Sequence, residues 1–502
     1  MVNLTSHILF HARRTPDRLA MVYEDQRISY AELADRALRL AGLLKARGVQ
    51  PRQVVAAVMK NSAAFMELAF AVSHVGAVFL PVNFRLARQE IEFILDNADA
   101  VLLFADEEFA QAADGLKPTV LLDAEAQRDS RRLSGAAEKP TAAHCLPGDL
   151  FRLMYTSGTT DRPKGVMHTY ENFYWKSWDH IADLPITADD RLLVVGPLYH
   201  VGAFDCGGVA VFLVGGMMVI HRNFDPEQAL AAIERERISC SWMAPVMMGS
   251  ILACGQRDRY DVSSFRWCIG GGEKTPENRV RQFSGLFRNG RYIDAYGLTE
   301  TCGGDTFMEA GRELEKIGST GRVVGHAELK ICDEQGTEVP PGVEGEICLR
   351  GPKVTRGYWK EEEKTRRSFF GDWFRTGDIG RVDQDGFLFL TDRLKDMIIT
   401  GGENVASSEV ERVIFMLPQV AEVAVVGCPD QRWGERPVAV LALAAGQSLD
   451  LETLSRHCRQ HLAGFKVPKQ LVIVPALPRN PSGKVLKRLL RQELAQRDGE
   501  SA

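Results

Sequence analysis

The stretch from Tyr155 to Gly165 combines the residue types that bind an anion. It reads Tyr-Thr-Ser-Gly-Thr-Thr-Asp-Arg-Pro-Lys-Gly and is flanked by strand-like apolar residues. Glycine and proline disfavour a helix or a central strand here, and Ser and Thr side chains compete for backbone partners. Backbone N–H groups and hydroxyls in such a loop can donate to phosphate oxygens, while a lysine supplies a point charge. We therefore interpret the stretch as a phosphate-binding loop.

The predicted phosphate ligands of this loop are its small polar residues and its lysine. They are Thr156, Ser157, Gly158, Thr159, Thr160 and Lys164. The loop is not the common NTPase loop, because the pattern GxxxxGK[ST] does not occur in the sequence. Taken alone, a cluster of Gly, Ser and Thr is also typical of an exposed surface loop, so other motifs have to decide between the two interpretations.

A second group of chemically suited residues lies between Tyr292 and Glu300, which reads Tyr-Ile-Asp-Ala-Tyr-Gly-Leu-Thr-Glu. An aromatic ring such as that of Tyr296 can stack on a nucleotide base. The hydroxyl of Thr299 can bind a phosphate, and the carboxylate of Glu300 can hold Mg²⁺. In isolation the same segment also fits a turn that leads into a helix.

Three further positions are suited to a nucleotide and its substrate. His200 follows the buried strand predicted from Arg191, at the place where a parallel strand gives way to a loop and ligands usually bind. The run Gly270-Gly271-Gly272-Glu273 lets a flat ligand lie on bare backbone. Asp378 follows Thr-Gly and can accept both hydroxyls of a ribose. A core histidine, a tight turn and a turn-capping aspartate are the corresponding structural interpretations.

Two lysines in the last part of the chain stand beside turns. Lys395 lies in a charged run that leads into a short strand and the turn Gly401-Gly402. Lys484 follows Pro-Ser-Gly, which presents it on a turn. We expect the next basic residues, Lys487 and Arg488, to be solvated.

These motifs, in this order, resemble those of the adenylate-forming superfamily. That superfamily contains acyl-CoA synthetases, peptide-synthetase adenylation domains and firefly-type luciferases. The matching patterns are TSGTTxxPKG from Thr156, PLYHVGA around His200, YGLTE from Tyr296 and PRNPSGK up to Lys484. Through KDMIITGGEN and PRNPSGK the sequence is most similar to the fatty-acyl and aryl-CoA synthetase branch.

One departure from the family pattern falls inside the phosphate loop. Asp161 stands where the family usually has glycine. Aspartate tolerates the left-handed backbone conformation, so the turn can form. Because a carboxylate would repel a triphosphate, we expect the side chain of Asp161 to point to solvent.

The resemblance implies a role for each matched residue. The implied catalytic residues are Lys484, Glu300, Lys164 and His200, and Glu300 is also the implied Mg²⁺ ligand. Outside the phosphate loop, the implied contacts to nucleotide and CoA are Gly271, Gly272, Glu273, Asp294, Tyr296, Gly297, Thr299, Asp378, Arg393 and Gly402. Tyr296 would flank adenine, Thr299 would contact the α-phosphate, and Arg393 would bind the ribose. Lys395 would be the hinge between two domains.

Strands and helices alternate along the first half of the chain, which predicts parallel sheets covered by helices. The predicted elements are a helix opened by Ser29-Tyr30-Ala31-Glu32, strands Val54–Met59, Ala77–Val82 and Val101–Ala105, and helices Ala63–His74 and Arg88–Asn97. We expect Ala124–His144 to be a surface excursion. From Gly318 short strands and turns indicate a small β-barrel.

After residue 400 the pattern predicts a compact α+β unit. Its predicted elements are a helix from Ser408, strands Val420–Val426, Pro437–Leu443 and Leu471–Val474, and a helix Leu451–Leu462. The fold class is therefore α/β, with a large N-terminal domain at residues 1–394 and a small, mobile C-terminal domain at residues 395–502.

Composition and charge limit the function classes. The 502-residue chain has a net charge of −5 and no basic run, which argues against nucleic acid as a partner. Its ten cysteines are scattered without a CxxC pair, which favours reduced thiols and a cytoplasmic location. We expect neither a signal peptide nor a membrane-spanning segment, and peripheral membrane contact stays open. Oligomeric state cannot be read from the sequence.

The predicted function is that of an ATP-dependent, AMP-forming acid:CoA ligase using ATP, Mg²⁺ and coenzyme A. The acid would lie among residues 200–206, 242–246, 270–274 and 298–304, which mix small and bulky apolar residues. We therefore expect an apolar acid, either aryl or a medium- or long-chain fatty acid. The alternatives are a nucleotide-binding protein without turnover, an adenylating enzyme with another acceptor, and a luciferase-like oxygenase.

Overall fold

The computed structural model describes residues 3–135, 137–156, 163–271, 277–393, 397–478, 485 and 487–500. The predicted site residues that lie outside the described residues are Ser157, Gly158, Thr159, Thr160, Gly272, Glu273, Lys395 and Lys484, together with Asp161. The chain divides into two compact units. The large unit is Met1–Phe84, Ile94–Tyr155 and Gly165–Asp392, and the small unit is Arg85–Phe93, Thr156–Lys164 and Arg393–Ala502.

A sheet of six strands, counted in the described residues, has the order β6-β5-β3-β4-β7-β8. Its strands are β3 (Val54–Val58), β4 (Val78–Pro81), β5 (Ala100–Asp106), β6 (Thr119–Leu122), β7 (Leu150–Thr156) and β8 (Lys164–Thr169). The neighbours β3 and β4, β3 and β5, β5 and β6, and β4 and β7 run parallel. This agrees with the parallel sheet that strand–helix alternation predicts.

A second sheet contains nine strands in the described part of the chain, in the order β15-β14-β13-β12-β11-β9-β10-β1-β2. Its strands are β1 (Leu19–Tyr23), β2 (Gln26–Ser29), β9 (Arg191–Val194), β10 (Met217–Ile220), β11 (Cys240–Trp242), β12 (Trp267–Gly271), β13 (Arg291–Tyr296), β14 (Thr306–Phe307) and β15 (Arg322–Val323). Strands β1 and β9 to β13 form its parallel centre, and antiparallel partners lie at both edges.

Helices cover these sheets and lie between them. They are α1 (Thr5–Arg14), α2 (Tyr30–Ala46), α3 (Ala63–His74), α4 (Arg88–Asn97), α5 (Ala110–Ala113), α6 (Ala124–Arg128), α7 (Arg131–Ser134), α8 (Tyr170–Asp183), α9 (Val201–Asp205), α10 (Ala210–Val214), α11 (Pro226–Glu236), α12 (Pro245–Ala253) and α13 (Glu277–Leu286). Every residue of α3 is buried, and one apolar core joins α2 and α3 to strands of both sheets. A helix that is buried on every side belongs in such an interior.

The large unit ends in a five-strand sheet, counted over the described residues, where the sequence predicted a small barrel. Its elements are β16 (Glu328–Cys332), β17 (Gly345–Arg350), α14 (Glu362–Arg367), β18 (Phe369–Phe370), β19 (Trp373–Val382) and β20 (Leu388–Arg393). The pairs β16–β17, β17–β19 and β18–β19 are antiparallel. Its apolar core includes Tyr296 from the end of β13, so this sheet packs directly beside the predicted nucleotide segment.

The small unit contains an α+β fold of its own. Its elements are β21 (Met397–Thr400), β22 (Glu403–Ala406), α15 (Ser407–Phe415), β23 (Val420–Asp430), β24 (Gly434–Leu443), α16 (Leu451–Arg459), β25 (Gln470–Ile473) and α17 (Lys487–Glu500). In the described residues the sheet order is β22-β21-β24-β23, and β25 pairs with β24. One apolar core joins this sheet to α15 and α16, and a second joins it to α17.

Most predicted elements lie where the sequence places them, and two regions differ. The excursion Ala124–His144 contains the short helices α6 and α7, because Asp123 caps α6 through a hydrogen bond to the N–H of Ala126. The predicted solvation of Lys487 is wrong. Its amine contacts Ser407 at 2.7 Å and Glu411 at 2.7 Å, and it opens the unpredicted helix α17.

Among the described residues, no helix is long and apolar enough to cross a membrane.

Candidate active site

The carboxyl ends of adjacent parallel strands bring several predicted site residues to one edge of the nine-stranded sheet. Strand β9 pairs with β11, β11 with β12, and β12 with β13, all in parallel. His200 follows β9, Gly271 ends β12, and Tyr296 ends β13. This edge is the usual ligand position in open parallel sheets.

Residues 297–304, which we call the 297–304 turn, connect β13 to β14 by an unusual backbone. A short 3₁₀ turn covers Thr299–Thr301, and Cys302, Gly303 and Gly304 follow with φ of +58°, +73° and +61°. At Gly297 a Cβ atom would lie 2.3 Å from the backbone nitrogen of Gly304. The turn therefore folds back on itself so closely that position 297 requires glycine.

Glu300 is held within this turn by two contacts. The hydroxyl of Tyr358 donates to its Oε1 at 2.8 Å, and its carbonyl accepts from the N–H of Thr355 at 2.7 Å. Burial, followed by the charge of Glu300, raises the pKa of Tyr358, so this phenol remains a donor. An ionised carboxylate accepts about four hydrogen bonds or metal contacts, so a side chain of this type can bind a Mg²⁺ ion.

Tyr296 and Asp378, predicted separately as the base-stacking residue and the ribose ligand, are in direct contact. The hydroxyl of Tyr296 donates to Oδ2 of Asp378 at 2.9 Å, and both side chains are buried. Burial and then the carboxylate of Asp378 raise the pKa of Tyr296. Asp294 lies two residues earlier in β13, where its carbonyl accepts from the N–H of Met308.

His200 caps the short helix α9. Its Nδ1 accepts a hydrogen bond from the N–H of Gly202 at 3.5 Å, which places the proton of a neutral ring on Nε2. The ring of Trp242 lies against the same helix, since a Cβ at Gly202 would be 2.3 Å from it. A Cβ at Gly303 would lie 3.2 Å from the sulfur of Cys206. Three of the four segments predicted to hold the acid therefore pack together.

The described ends of the phosphate loop lie on two neighbouring strands. Thr156 ends β7 and Lys164 begins β8, and the two strands pair with each other. Within the described residues, the Oγ1 of Thr156 is buried and has no hydrogen-bond partner. An unpaired buried hydroxyl costs free energy, and a phosphate oxygen would be a suitable acceptor for it.

In the small unit, Gly402 occupies a two-residue hairpin between β21 and β22. Thr400 pairs with Glu403, and Gly401 and Gly402 have φ of +59° and +79°. Two consecutive positive φ angles are the requirement of a type I′ hairpin turn, which explains the double glycine. Arg393 is the last residue of β20, and only its backbone is described.

A buried charge cluster behind the 297–304 turn was not found in the sequence. Its members are fully buried or nearly so, and they are Arg152, His168, Lys176, His180, Asp205, Asp305 and Lys353. The carboxylate of Asp205 contacts Arg152 at 2.7 Å and Lys176 at 3.2 Å. The available signal was a single arginine inside the apolar run Phe151–Met154.

The chain matches known proteins along nearly its whole length. Residues 10–359 match the AMP-binding enzyme family, and residues 409–484 match the AMP-binding enzyme C-terminal domain. A feruloyl-CoA synthase from Amycolatopsis is 37% identical over 96% of this chain and 97% of that protein. The long-chain-fatty-acid–CoA ligase FadD13 from Mycobacterium tuberculosis is 34% identical over 93% of both chains.

The solved structures agree with this assignment. The amide bond synthetase McbA from Marinactinospora thermotolerans superposes with a TM-score of 0.88 at 28% identity, and the match covers 98% of this chain and 99% of that chain. The fold of this chain is therefore similar to that of a protein named as an amide bond synthetase, whereas the two relatives above are named for CoA thioesters.

Proposed function

Because this chain belongs to the family of AMP-binding enzymes, we propose that it is an ATP-dependent acid:CoA ligase. A carboxylic acid and ATP form an acyl-adenylate and pyrophosphate, and the thiol of CoA then displaces AMP to give a thioester. The first step is needed because oxide is a very poor leaving group, whereas AMP is a good one. Two anions meet in that step, so the protein has to cancel charge and hold the reactants in line.

The observation that carries this proposal is the pair of contacts at the two ends of one segment. Tyr296 binds Asp378, and four residues later Glu300 is held by Tyr358. We infer that Tyr296 and Asp378 bind adenosine, while Thr299 contacts the α-phosphate. Asp294, Gly297 and Gly271 line the same edge of the sheet.

The remaining roles follow from the chemistry of the side chains. Thr156 donates to phosphate through its unpartnered hydroxyl, and Lys164 adds positive charge. His200 carries its proton on Nε2 and can therefore donate to the carboxylate of the acid. When bound to Glu300, Mg²⁺ would offset the charge of the phosphates.

Several parts of the proposal concern residues outside the described ones or side chains that are not described. We place the domain boundary between residues 394 and 395, with Lys395 as the hinge, Lys484 as the lysine that completes adenylation, and Arg393 on the ribose. Gly402 would border the path of the CoA pantetheine. A cytoplasmic location is part of the same proposal.

The acid is proposed to be apolar. The segments that converge beside His200 contribute buried Val201, Ala203 and Phe204 and the half-buried Trp242. One relative is named for feruloyl-CoA and another for long-chain fatty acids, so aryl and fatty acids are the two classes to test first.

The proposal is tested by incubating the enzyme with ATP, Mg²⁺, CoA and single acids, and measuring pyrophosphate, AMP and thioester. The panel is ferulate, cinnamate, octanoate, palmitate, acetate and malonate. We expect equal amounts of pyrophosphate, AMP and thioester with at least one of the first four acids. A preference for malonate over octanoate and cinnamate would refute the apolar pocket, and no thioester with any acid would refute the CoA ligase.

A second acceptor class is kept because McbA, which is named as an amide bond synthetase, superposes closely on this chain. Replacing CoA with a panel of primary amines in the same assay distinguishes the two classes. Amide formation that exceeds thioester formation at equal acceptor concentration would favour this alternative.

A further inference from the structure

Several backbone carbonyls of the 297–304 turn accept hydrogen bonds from buried side chains of distant segments. Thr299 O receives His168 Nε2 at 2.6 Å, and Gly303 O and Gly304 O receive the amine of Lys353 at 3.0 and 2.5 Å. Since three successive residues of the turn have positive φ, local backbone preference does not fix its shape.

Lys353 is the centre of this arrangement. Its side chain is 0% exposed, and besides the two carbonyls its amine contacts the carboxylate of Asp305 at 2.9 Å. Two N–H donors of the ammonium group therefore go to carbonyls of the turn, and the ion pair with Asp305 balances its charge. Asp305 also accepts from the hydroxyl of Thr301 at 2.5 Å, which ties the same carboxylate to the 3₁₀ turn that carries Glu300.

His168 holds the other end of the turn. Arginine can only donate, and both Nε and Nη2 of Arg152 lie within 3.1 Å of His168 Nδ1. The Nδ1 atom must therefore be the unprotonated acceptor, and Nε2 carries the proton that is donated to Thr299. Arg152 in turn is bound to Asp205 at 2.7 Å.

A buried ion pair is weak evidence for stability, because removing two charges from water offsets most of their attraction. A better account of Lys353 is that it fixes one conformation of a turn that would otherwise have several. We propose that Lys353, neutralised by Asp305, is a positioning residue that holds Thr299 and Glu300 in place for the nucleotide. This inference rests on the proposed function of that turn.

The test replaces Lys353 with methionine, which keeps the length of the side chain and removes all three donors. Adenylation is measured as exchange of labelled pyrophosphate into ATP, with the acid that gives the most pyrophosphate in the panel above. Thioester formation from the corresponding acyl-adenylate and CoA is measured separately, and AMP affinity is measured by calorimetry. A misplacement of about 1 Å in a reacting group can slow a reaction on the order of a hundredfold.

We expect Lys353→Met to slow exchange at least tenfold, to raise the Mg²⁺ concentration at half-maximal exchange, and to weaken AMP binding. Thioester formation from supplied adenylate should fall much less. The matched control is Arg36→Met, which strips Glu67, an equally buried carboxylate, of its cation. The contacts of Arg36 are with residues 26, 32, 67, 128 and 129, none of which belongs to the proposed site.

A purely structural role predicts a different result. In that case both variants slow adenylation and thioester formation in proportion to their loss of thermal stability, and the Mg²⁺ dependence and AMP affinity stay unchanged. That result would overturn the proposal. If Lys353→Met does not accumulate, the double variant Lys353→Met/Asp305→Asn removes the unpaired charge and is judged by the same criteria. Wild-type enzyme without exchange for any acid would refute the proposed function, whereas AMP affinity would still test the positioning.

Discussion

Two turns in this protein place backbone with positive φ at proposed ligand sites, and they are built in different ways. The hairpin at Gly401 and Gly402 is fixed by the antiparallel ladder on either side, from Met397–Ala406 to Thr400–Glu403. The 297–304 turn is also flanked by an antiparallel pair, Ala295–Phe307 and Tyr296–Thr306, but nine residues lie between the two strands, and carbonyls of the turn are held by His168 and Lys353, more than 45 residues away in either direction. The first turn is local in sequence, whereas the second depends on long-range buried polar contacts.

This difference suits the two half-reactions proposed for the two turns. Adenylation requires fixed groups around phosphates, and buried charges offer a rigid frame in a low-dielectric interior. The hairpin, which we place beside the pantetheine path, contributes only backbone atoms at its turn, because Gly401 and Gly402 have no side chains. We therefore expect changes in the 297–304 turn to affect adenylation and changes in the hairpin to affect thioester formation.

The largest effect is expected for Glu300→Gln. The amide keeps the shape of the side chain and can still accept from Tyr358, so the fold should be retained. Loss of the negative charge should slow pyrophosphate exchange on the order of a hundredfold to a thousandfold, as for removal of one well-placed electrostatic group. Thioester formation from supplied acyl-adenylate is the control reaction. Equal loss in both half-reactions would contradict the division of roles.

The second effect concerns acid stability. Burial, followed by the charge of Arg152, lowers the pKa of His168 from 6.5 to about 3, against the opposing effects of Asp205 and Glu300. Between these two values the unfolded chain binds a proton that the folded chain does not bind. Stability is therefore lost as pH falls below about 6.5, by about 1.4 kcal/mol per pH unit for this group.

His168→Gln tests this. The glutamine amide can replace the donor to Thr299 but does not titrate, so between pH 7 and pH 5 the variant should lose about 2 kcal/mol less stability than the wild type. Thermal midpoints measured by circular dichroism across this range give the comparison. Parallel curves for the two proteins would show that His168 does not contribute to the acid sensitivity. The hairpin residues 397–406 include no histidine. We therefore expect a fall in pH to destabilise the 297–304 turn before it destabilises the hairpin.

The smallest effect is expected at the hairpin. Gly402→Ala places a side chain at φ of +79°, which disfavours the native turn by about 1–2 kcal/mol. The rate of thioester formation should fall roughly tenfold, with pyrophosphate exchange unchanged. Gly402→Asn is the matched variant, because asparagine tolerates the left-handed conformation and should restore most of the rate. A loss of exchange that equals the loss of thioester formation would remove the distinction between the turns.

The sequence was informative wherever structure is encoded locally. The helices Ala63–His74 and Arg88–Asn97 were predicted to the residue, and local signals bound the first: the N–H of Phe65 donates to the side chain of Ser62 at its start, and Gly76 follows its end. The double glycine of the hairpin and the glycine at position 297 also follow from local rules. The contact between Tyr296 and Asp378 was not predictable, although both residues were singled out, because it joins segments 82 positions apart.

The buried charges could not be predicted for a related reason. A charged residue in a single sequence is more often exposed, and its partner can lie anywhere in the chain. Lys353 stands between proline and valine in a turn-rich segment and shows no periodic signal. Only the packing of the five-stranded sheet against the 297–304 turn brings its amine to the carbonyls of Gly303 and Gly304.

The most direct test of the account is the exchange of labelled pyrophosphate into ATP in the absence of CoA. It isolates the step in which the acid is joined to AMP. We predict exchange that depends on both an apolar carboxylic acid and Mg²⁺, and that needs no CoA. Tight binding of ATP with no exchange for any acid of the panel would contradict the account and favour a nucleotide-binding protein without turnover.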